Sequence, residues 1–237
     1  MGGTDAWGNR TQKYHQLAEI ETTNNTTQYL ELTNLSTNYA MLEFTFTGWI
    51  DHSGGGGTNI GAGQWTEGPT IQMQGAWPGG PSASAAFYRN MAVAQYSSTT
   101  NIYERHGDQI NSSSAMLSPN FGRIGMLWYP SGTIYASQAR FSFTGICVAP
   151  GDNTCKSIHW NGGGNPSDGN SSSYISTMWM ANTHLCTQTA GSDVRSIGPM
   201  DSIRIGAGQD NAGNPKYFGS YSKLVAYGMG RSDAFGR

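Results

Sequence analysis

Met41-Leu42-Glu43-Phe44-Thr45-Phe46-Thr47-Gly48-Trp49-Ile50 sets Leu42, Phe44 and Phe46 against Glu43, Thr45 and Thr47. A period of two sends successive side chains to opposite faces of a pleated strand, so this stretch predicts a strand with one buried and one solvated face. The pattern returns in Arg140 to Val148, where Phe141 and Phe143 alternate with Ser142 and Thr144. It returns again in Gln28 to Leu35, with Leu30 and Leu32 on one face, and in Thr70 to Gln74, with Ile71 and Met73 opposed to Gln72 and Gln74. Further strands are expected at 86 to 96, 101 to 105, 123 to 129, 133 to 137, 174 to 181, 201 to 206 and 221 to 229, about ten in all. No segment keeps a 3.6-residue apolar period for three turns, so any helix is short.

Between these pieces lie Gly54 to Gly57, Gly75 to Pro81, Ser112 to Asn120 and Pro150 to Ser173, each rich in turn formers and expected as a loop. No repeat of fixed period occurs, which argues against a propeller or a β-helix. A sheet with one apolar face has to bury it against another layer. The expected fold is therefore all-β, a two-sheet antiparallel β-sandwich of jelly-roll type. Residues 1–13 read as an N-terminal arm, 14–230 as the sandwich and 231–237 as a C-terminal tail.

Composition agrees with a sandwich rich in turns. Charged residues are only 12% of the 237 and 33 residues are glycine, while 7 Trp, 12 Tyr and 8 Phe supply the apolar area for a core. The formal charge is −2 with no run of either sign, so nothing could track a phosphate backbone, and nucleic acid is not expected as a partner. Apolar runs fall well short of the roughly 20 residues that cross a bilayer, and no membrane association is expected. Three cysteines, Cys147, Cys155 and Cys186, are an odd number without a CxxC spacing. They read as buried thiols, a Cys147–Cys155 bridge being the alternative.

The five histidines, His15, His52, His106, His159 and His184, sit on separate segments without a metal-ligand spacing, so neither metal nor cofactor is expected. Asp51-His52 and His106-Gly107-Asp108 place an imidazole beside a carboxylate, and both read most simply as polar turns. Asp51, Glu67, Glu104 and Asp108 are the carboxylates available to a glycan-degrading enzyme, but their spacing selects no pair. Asp152-Asn153, Asp168-Gly169-Asn170 and Asp210-Asn211 match no calcium loop. Candidate binding residues are aromatic: Trp7 in the arm, and Trp65, Trp77 and Trp160 in Gly-rich connections. An indole in such a place can stack on a sugar or anchor a protein interface, or it can cover the end of the sandwich.

The C-terminal stretch is the most specific. Ser196-Ile197 and Asp201-Ser202-Ile203-Arg204-Ile205 are followed by a Gly- and Asn-rich turn, Tyr217-Phe218-Gly219-Ser220, and Lys223-Leu224-Val225-Ala226-Tyr227-Gly228-Met229. It resembles the closing hairpin of a jelly-roll domain common in tailed-phage virion proteins: a Ser-Ile-x-Ile strand, a Gly/Asn turn, a Phe before Gly-Ser, and a last strand ending in Tyr-Gly. Ala226-Tyr227-Gly228 stands where that family usually has Leu-Tyr-Gly. Upstream, Gln16 to Ile20, Leu30 to Leu35 and Tyr39 to Leu42 resemble the opening strands, so the likeness spans residues 14 to 230.

The resemblance implies a virion structural protein without catalytic residues, made in the host cytoplasm and assembled as a homotrimer. Family members decorate or cement the capsid surface, or form receptor-binding tips of tail fibres and tailspikes. A sandwich preceded by only a short arm suits the first role, with the major capsid protein or other virion proteins as partners. A host-surface glycan is the partner expected for the second.

Overall fold

The computed structural model describes residues 14–51, 138–152, 156–166, 199–207 and 215–230, with the strand segments 65–67, 70–73, 86–95, 102–108, 122–123, 126–128, 177–188 and 194–195. The expected arm, tail, strand at 133–137 and loops at 54–57, 75–81 and 112–120 lie outside the described residues. Sixteen strands and no helix occur among those described: β1 (Tyr14–Glu21), β2 (Tyr29–Leu32), β3 (Met41–Asp51), β4 (Trp65–Glu67), β5 (Thr70–Met73), β6 (Ala86–Gln95), β7 (Ile102–Asp108), β8 (Gly122–Arg123), β9 (Met126–Trp128), β10 (Gln138–Val148), β11 (Lys156–Pro166), β12 (Thr177–Gln188), β13 (Val194–Arg195), β14 (Ile203–Gly206), β15 (Tyr217–Phe218) and β16 (Lys223–Met229).

The pairings are antiparallel. One sheet runs β1-β16-β3-β10-β11-β12-β6-β7, with β13 on β12 and β15 on β3; a smaller one runs β2-β14-β5-β8; β4 and β9 pair separately. A single hydrophobic cluster draws Leu30 and Leu32 from β2 and Ile203 and Ile205 from β14. It draws Phe44, Phe143, Trp160 and Leu224 from the large sheet. The two sheets thus bury their apolar faces against each other, as a β-sandwich does. The alternation read in β3 holds: Leu42, Phe44, Phe46 and Ile50 are fully buried.

Across the large sheet the buried face is a lattice of large beside small. One row reads Leu224, Phe46, Phe143, Gly162; the next reads Ala226, Phe44, Gly145, Trp160. A Cβ on Gly145 would lie 2.5 Å from the Trp160 ring, and one on Gly162 would lie 2.6 Å from the Phe143 ring. Interior packing tolerates no such overlap, so the rings need their glycines.

That pairing corrects one expectation. Residues 156–166, read as part of a Gly-rich loop, form a long central strand, in which Gly162 and Gly164 lie opposite Phe143 and Phe141. His106-Gly107-Asp108 likewise belongs to β7, in register with β6, and not to a turn. Cys147 is a buried free thiol, and burial pushes its pKa up to about 11 despite the nearby Lys156 charge. Lys156 is itself buried, its ammonium donating to the Asp152 carbonyl.

Candidate functional site

Among the sequence-derived candidates, Trp7 and Trp77 lie outside the described residues. Trp65 begins β4, opposite Trp128 of β9. Trp160 is not a loop aromatic. It sits within β11, 2% exposed, its ring over Gly145 and 6.4 Å from the Phe44 ring centroid. A ring so enclosed serves the core. Its Nε1 has no hydrogen-bond partner, the one such buried side-chain N or O atom among the described residues.

Strand order and register keep Asp51, Glu104 and Asp108 apart. Asp51 closes β3, whereas Glu104 and Asp108 lie on β7, five strand steps away, or roughly 24 Å along the sheet. Glu104 and Asp108 are themselves about 13 Å apart along one strand, beyond the range of paired glycosidase carboxylates. Glu67 lies on β4, in the separate two-stranded sheet. His15 and His159 are exposed on β1 and β11. No group of three His, Cys, Asp or Glu capable of holding a metal occurs among the described residues.

Two surface features emerge instead. The first is the solvent face of β1, β16, β3 and β10. Register aligns Tyr14, Met229, Met41 and Val148 in one row and Gln16, Tyr227, Glu43 and Ile146 in the next. Tyr14 and Val148, at the ends of the first row, are exposed. Tyr14 meets Tyr227 edge-on, with 6.2 Å between centroids, and its hydroxyl donates to Glu43 Oε2 at 3.2 Å. The Glu43 charge raises the Tyr14 phenol pKa. Further along, Lys223 Nζ lies 2.7 Å from Glu19 and 3.9 Å from Glu21.

The second feature is the turn Gly219-Ser220-Tyr221-Ser222, between β15 and β16. Gly219 is obligatory there because the Trp49 indole lies flat against its Cα, where any Cβ would enter the ring. Trp49 also binds the turn through both its backbone and its indole: Gly219 N–H donates to Trp49 O at 2.8 Å, and Trp49 Nε1–H donates to Ser220 O at 3.1 Å. From the other side buried Thr22 donates to Gly219 O at 2.6 Å and accepts from Ser222 N–H at 3.1 Å. Asn25 Oδ1 accepts from Ser220 N–H at 2.8 Å and from its hydroxyl at 2.9 Å.

Held at the tip is Tyr221, with a φ of 66° and 78% of its surface exposed. Tyr221 N–H donates to Thr22 O, so the neighbouring loop fixes this conformation. Sequence reading placed residue 221 at the start of the last strand, whereas β16 begins at Lys223. The available signal was the Gly-Ser pair that precedes Tyr221, since Gly and Ser mark turns more often than strand starts.

Comparison of the chain with protein-family models, with curated proteins and with solved structures finds no match in any of the three.

Proposed function

We propose that the protein is a non-enzymatic structural subunit of a tailed-phage virion, a jelly roll that decorates the capsid surface and cements the head lattice. The described parts of the closing segment, residues 199–207 and 215–229, carry this reading, because several motif residues there have a physical task that suits the resemblance. Ile203 and Ile205 are buried from the small sheet, and Leu224 and Ala226 from the large one. Gly219 accepts the Trp49 ring, and Gly228 lies under Tyr39, whose ring atoms would sit 2.6 Å from an added Cβ.

The jelly-roll path finds support in how the chain alternates between sheets. β1 and β3 belong to the large sheet with β2 between them in the small one, and β14 and β16 repeat the crossing at the other end of the chain. The partners of such a subunit are the major capsid protein and its own copies, as a trimer. Exposed Tyr14 and Val148, at the two ends of one row on the outer face of the large sheet, offer apolar contact area of the kind subunit interfaces use.

Quantitative mass spectrometry of purified particles tests the proposal. A copy number comparable to the major capsid protein is expected. A count of only a few multiples of three would move the subunit to the tail, as a fibre or tailspike component, and absence from the particle would remove the virion reading altogether.

A further inference from the structure

Strand register determines which of the three cysteines can meet. Lys156 of β11 lies opposite Leu185 of β12, the first step of an unbroken antiparallel register that runs to Gly164 opposite Thr177. Leu185 is followed in β12 by Cys186, and Lys156 is preceded in the chain by Cys155. Cys155 lies just outside the described residues, but its peptide bond to Lys156 keeps the two Cα atoms about 3.8 Å apart. Carried one step further, the register sets position 155 against 186. Facing residues of an antiparallel ladder have Cα atoms about 4.5 or 5.5 Å apart, and both separations fall within the roughly 4.4 to 6.8 Å that a disulfide spans.

The other pairings fail on the same register. β11 lies between β10 and β12, so Cys147 of β10 is two strand steps, roughly 10 Å, from Cys186. Cys147 is buried on the inner face opposite Ile158, and strand alternation assigns position 155, three residues from Ile158, to the other face. The odd count of cysteines thus divides into one buried thiol and one cross-strand pair.

β11 is also where the register has least else to hold it. Gly162-Gly163-Gly164 give packing no side chains by which to fix their alignment with β12, and glycines lose the most backbone entropy on folding. Buried Lys156 anchors the start of the strand, its ammonium donating to the Asp152 carbonyl of the preceding turn. A bond between 155 and 186 would secure that same end of the β11–β12 pair, away from the glycines, and enclose residues 156–185 in a covalent loop.

We infer that Cys155 and Cys186 form a cross-strand disulfide that locks the β11–β12 register when the protein meets an oxidising disulfide such as glutathione disulfide. The thiolate of one cysteine attacks a sulfur of glutathione disulfide and expels one glutathione thiolate. The thiolate of the other then attacks the protein sulfur of the mixed disulfide and expels the second. The two cysteine protons pass to the two glutathione thiolates, so one protein disulfide forms as one glutathione disulfide is reduced.

The test uses the full chain, purified reduced, treated in its native state with excess glutathione disulfide, and cleaved without reduction after Lys and Arg and before Asp. These cuts separate residues 141–151 with Cys147, 152–156 with Cys155 and 168–192 with Cys186. Mass spectrometry is expected to find 152–156 joined to 168–192 within one chain, with Cys147 reduced. Opening the bond with dithiothreitol should lower the melting temperature by about 5 °C or more. That dependence should vanish in Cys155→Ser and in Cys186→Ser and persist in Cys147→Ala. A link through Cys147, links only between chains, or three thiols still free after the treatment overturns the assignment. A 155–186 link whose opening leaves the melting temperature unchanged overturns its role in holding the register.

Discussion

The β3–β10–β11 lattice and the 219–222 turn are both fixed by close approach to glycine, yet they are stabilised by opposite means. In the lattice Gly145 and Gly162 make room for Trp160 and Phe143, and the gain comes from apolar area and dispersion. In the turn Gly219 makes room for Trp49, and the remainder is a net of hydrogen bonds around a ring that faces water. The lattice faces the interior. The turn contributes little apolar burial and spends its polar groups on fixing the backbone on either side of Tyr221. Rigidity from packing and rigidity from hydrogen bonding are thus separated in this molecule, and the second kind carries the candidate site.

Removing the largest ring of the lattice should have the largest effect. Trp160→Ala is expected to cost about 3 to 5 kcal/mol in urea unfolding, through lost transfer energy and the cavity left behind. Trp160→Phe should cost clearly less, partly because it deletes an indole N–H that is buried without a partner.

Filling the small half of the same pair comes next. Gly145→Ala drives a methyl into the Trp160 ring and should cost about 1 to 3 kcal/mol. Combined with Trp160→Leu, its effect should fall below the sum of the two single changes, because the leucine leaves room for the methyl. Strict additivity would mean that the two residues do not share the space the register assigns them.

For the turn, Thr22→Val keeps shape but removes the hydroxyl that bonds Gly219 O and Ser222 N–H. A loss of about 1 kcal/mol or somewhat more is expected in thermal or urea unfolding, together with faster amide exchange at Ser222. An unchanged exchange rate would show that the turn holds without Thr22, and the contrast between the two regions would weaken.

The smallest effect belongs to the exposed pair of Glu19 and Lys223. Hydrogen bonding to Lys223 lowers the Glu19 pKa, so this group stabilises the fold above its unfolded pKa and loses that contribution as the pH falls through its folded value. Hydrogen bonding to Glu19 raises the Lys223 pKa, so its contribution is present below its unfolded pKa and fades as the pH rises through the folded one. Glu19→Gln should therefore lower the melting temperature slightly across the neutral plateau, with the difference from the parent vanishing at both the acidic and the alkaline end, and it should do so less at high salt.

Much of this was legible in the sequence and some was not. Leu42, Phe44, Phe46, Phe141 and Phe143 announced their strands because a half-buried strand writes its environment as alternation, and the structure buries these side chains. Strand β11 gave no such signal. Asn161-Gly162-Gly163-Gly164-Asn165 looks like a loop by every local preference. It is a strand because the rings that need its glycines come from β10. Tyr221 was hidden for a related reason. The bonds that hold its turn come from Thr22, Asn25 and Trp49, far away in the chain, and no local pattern registers them.

The sequence by itself determined an all-β chain, with no helix among the described residues, and which faces of its patterned strands are apolar, because period and composition are local properties that water enforces on any strand. Only the tertiary structure decided that a glycine run belongs in the centre of a sheet, that Trp160 is core, and that Tyr221 stands exposed at the tip of a hydrogen-bonded turn. Those outcomes depend on which side chain lies across from which, and distance along the chain does not encode that.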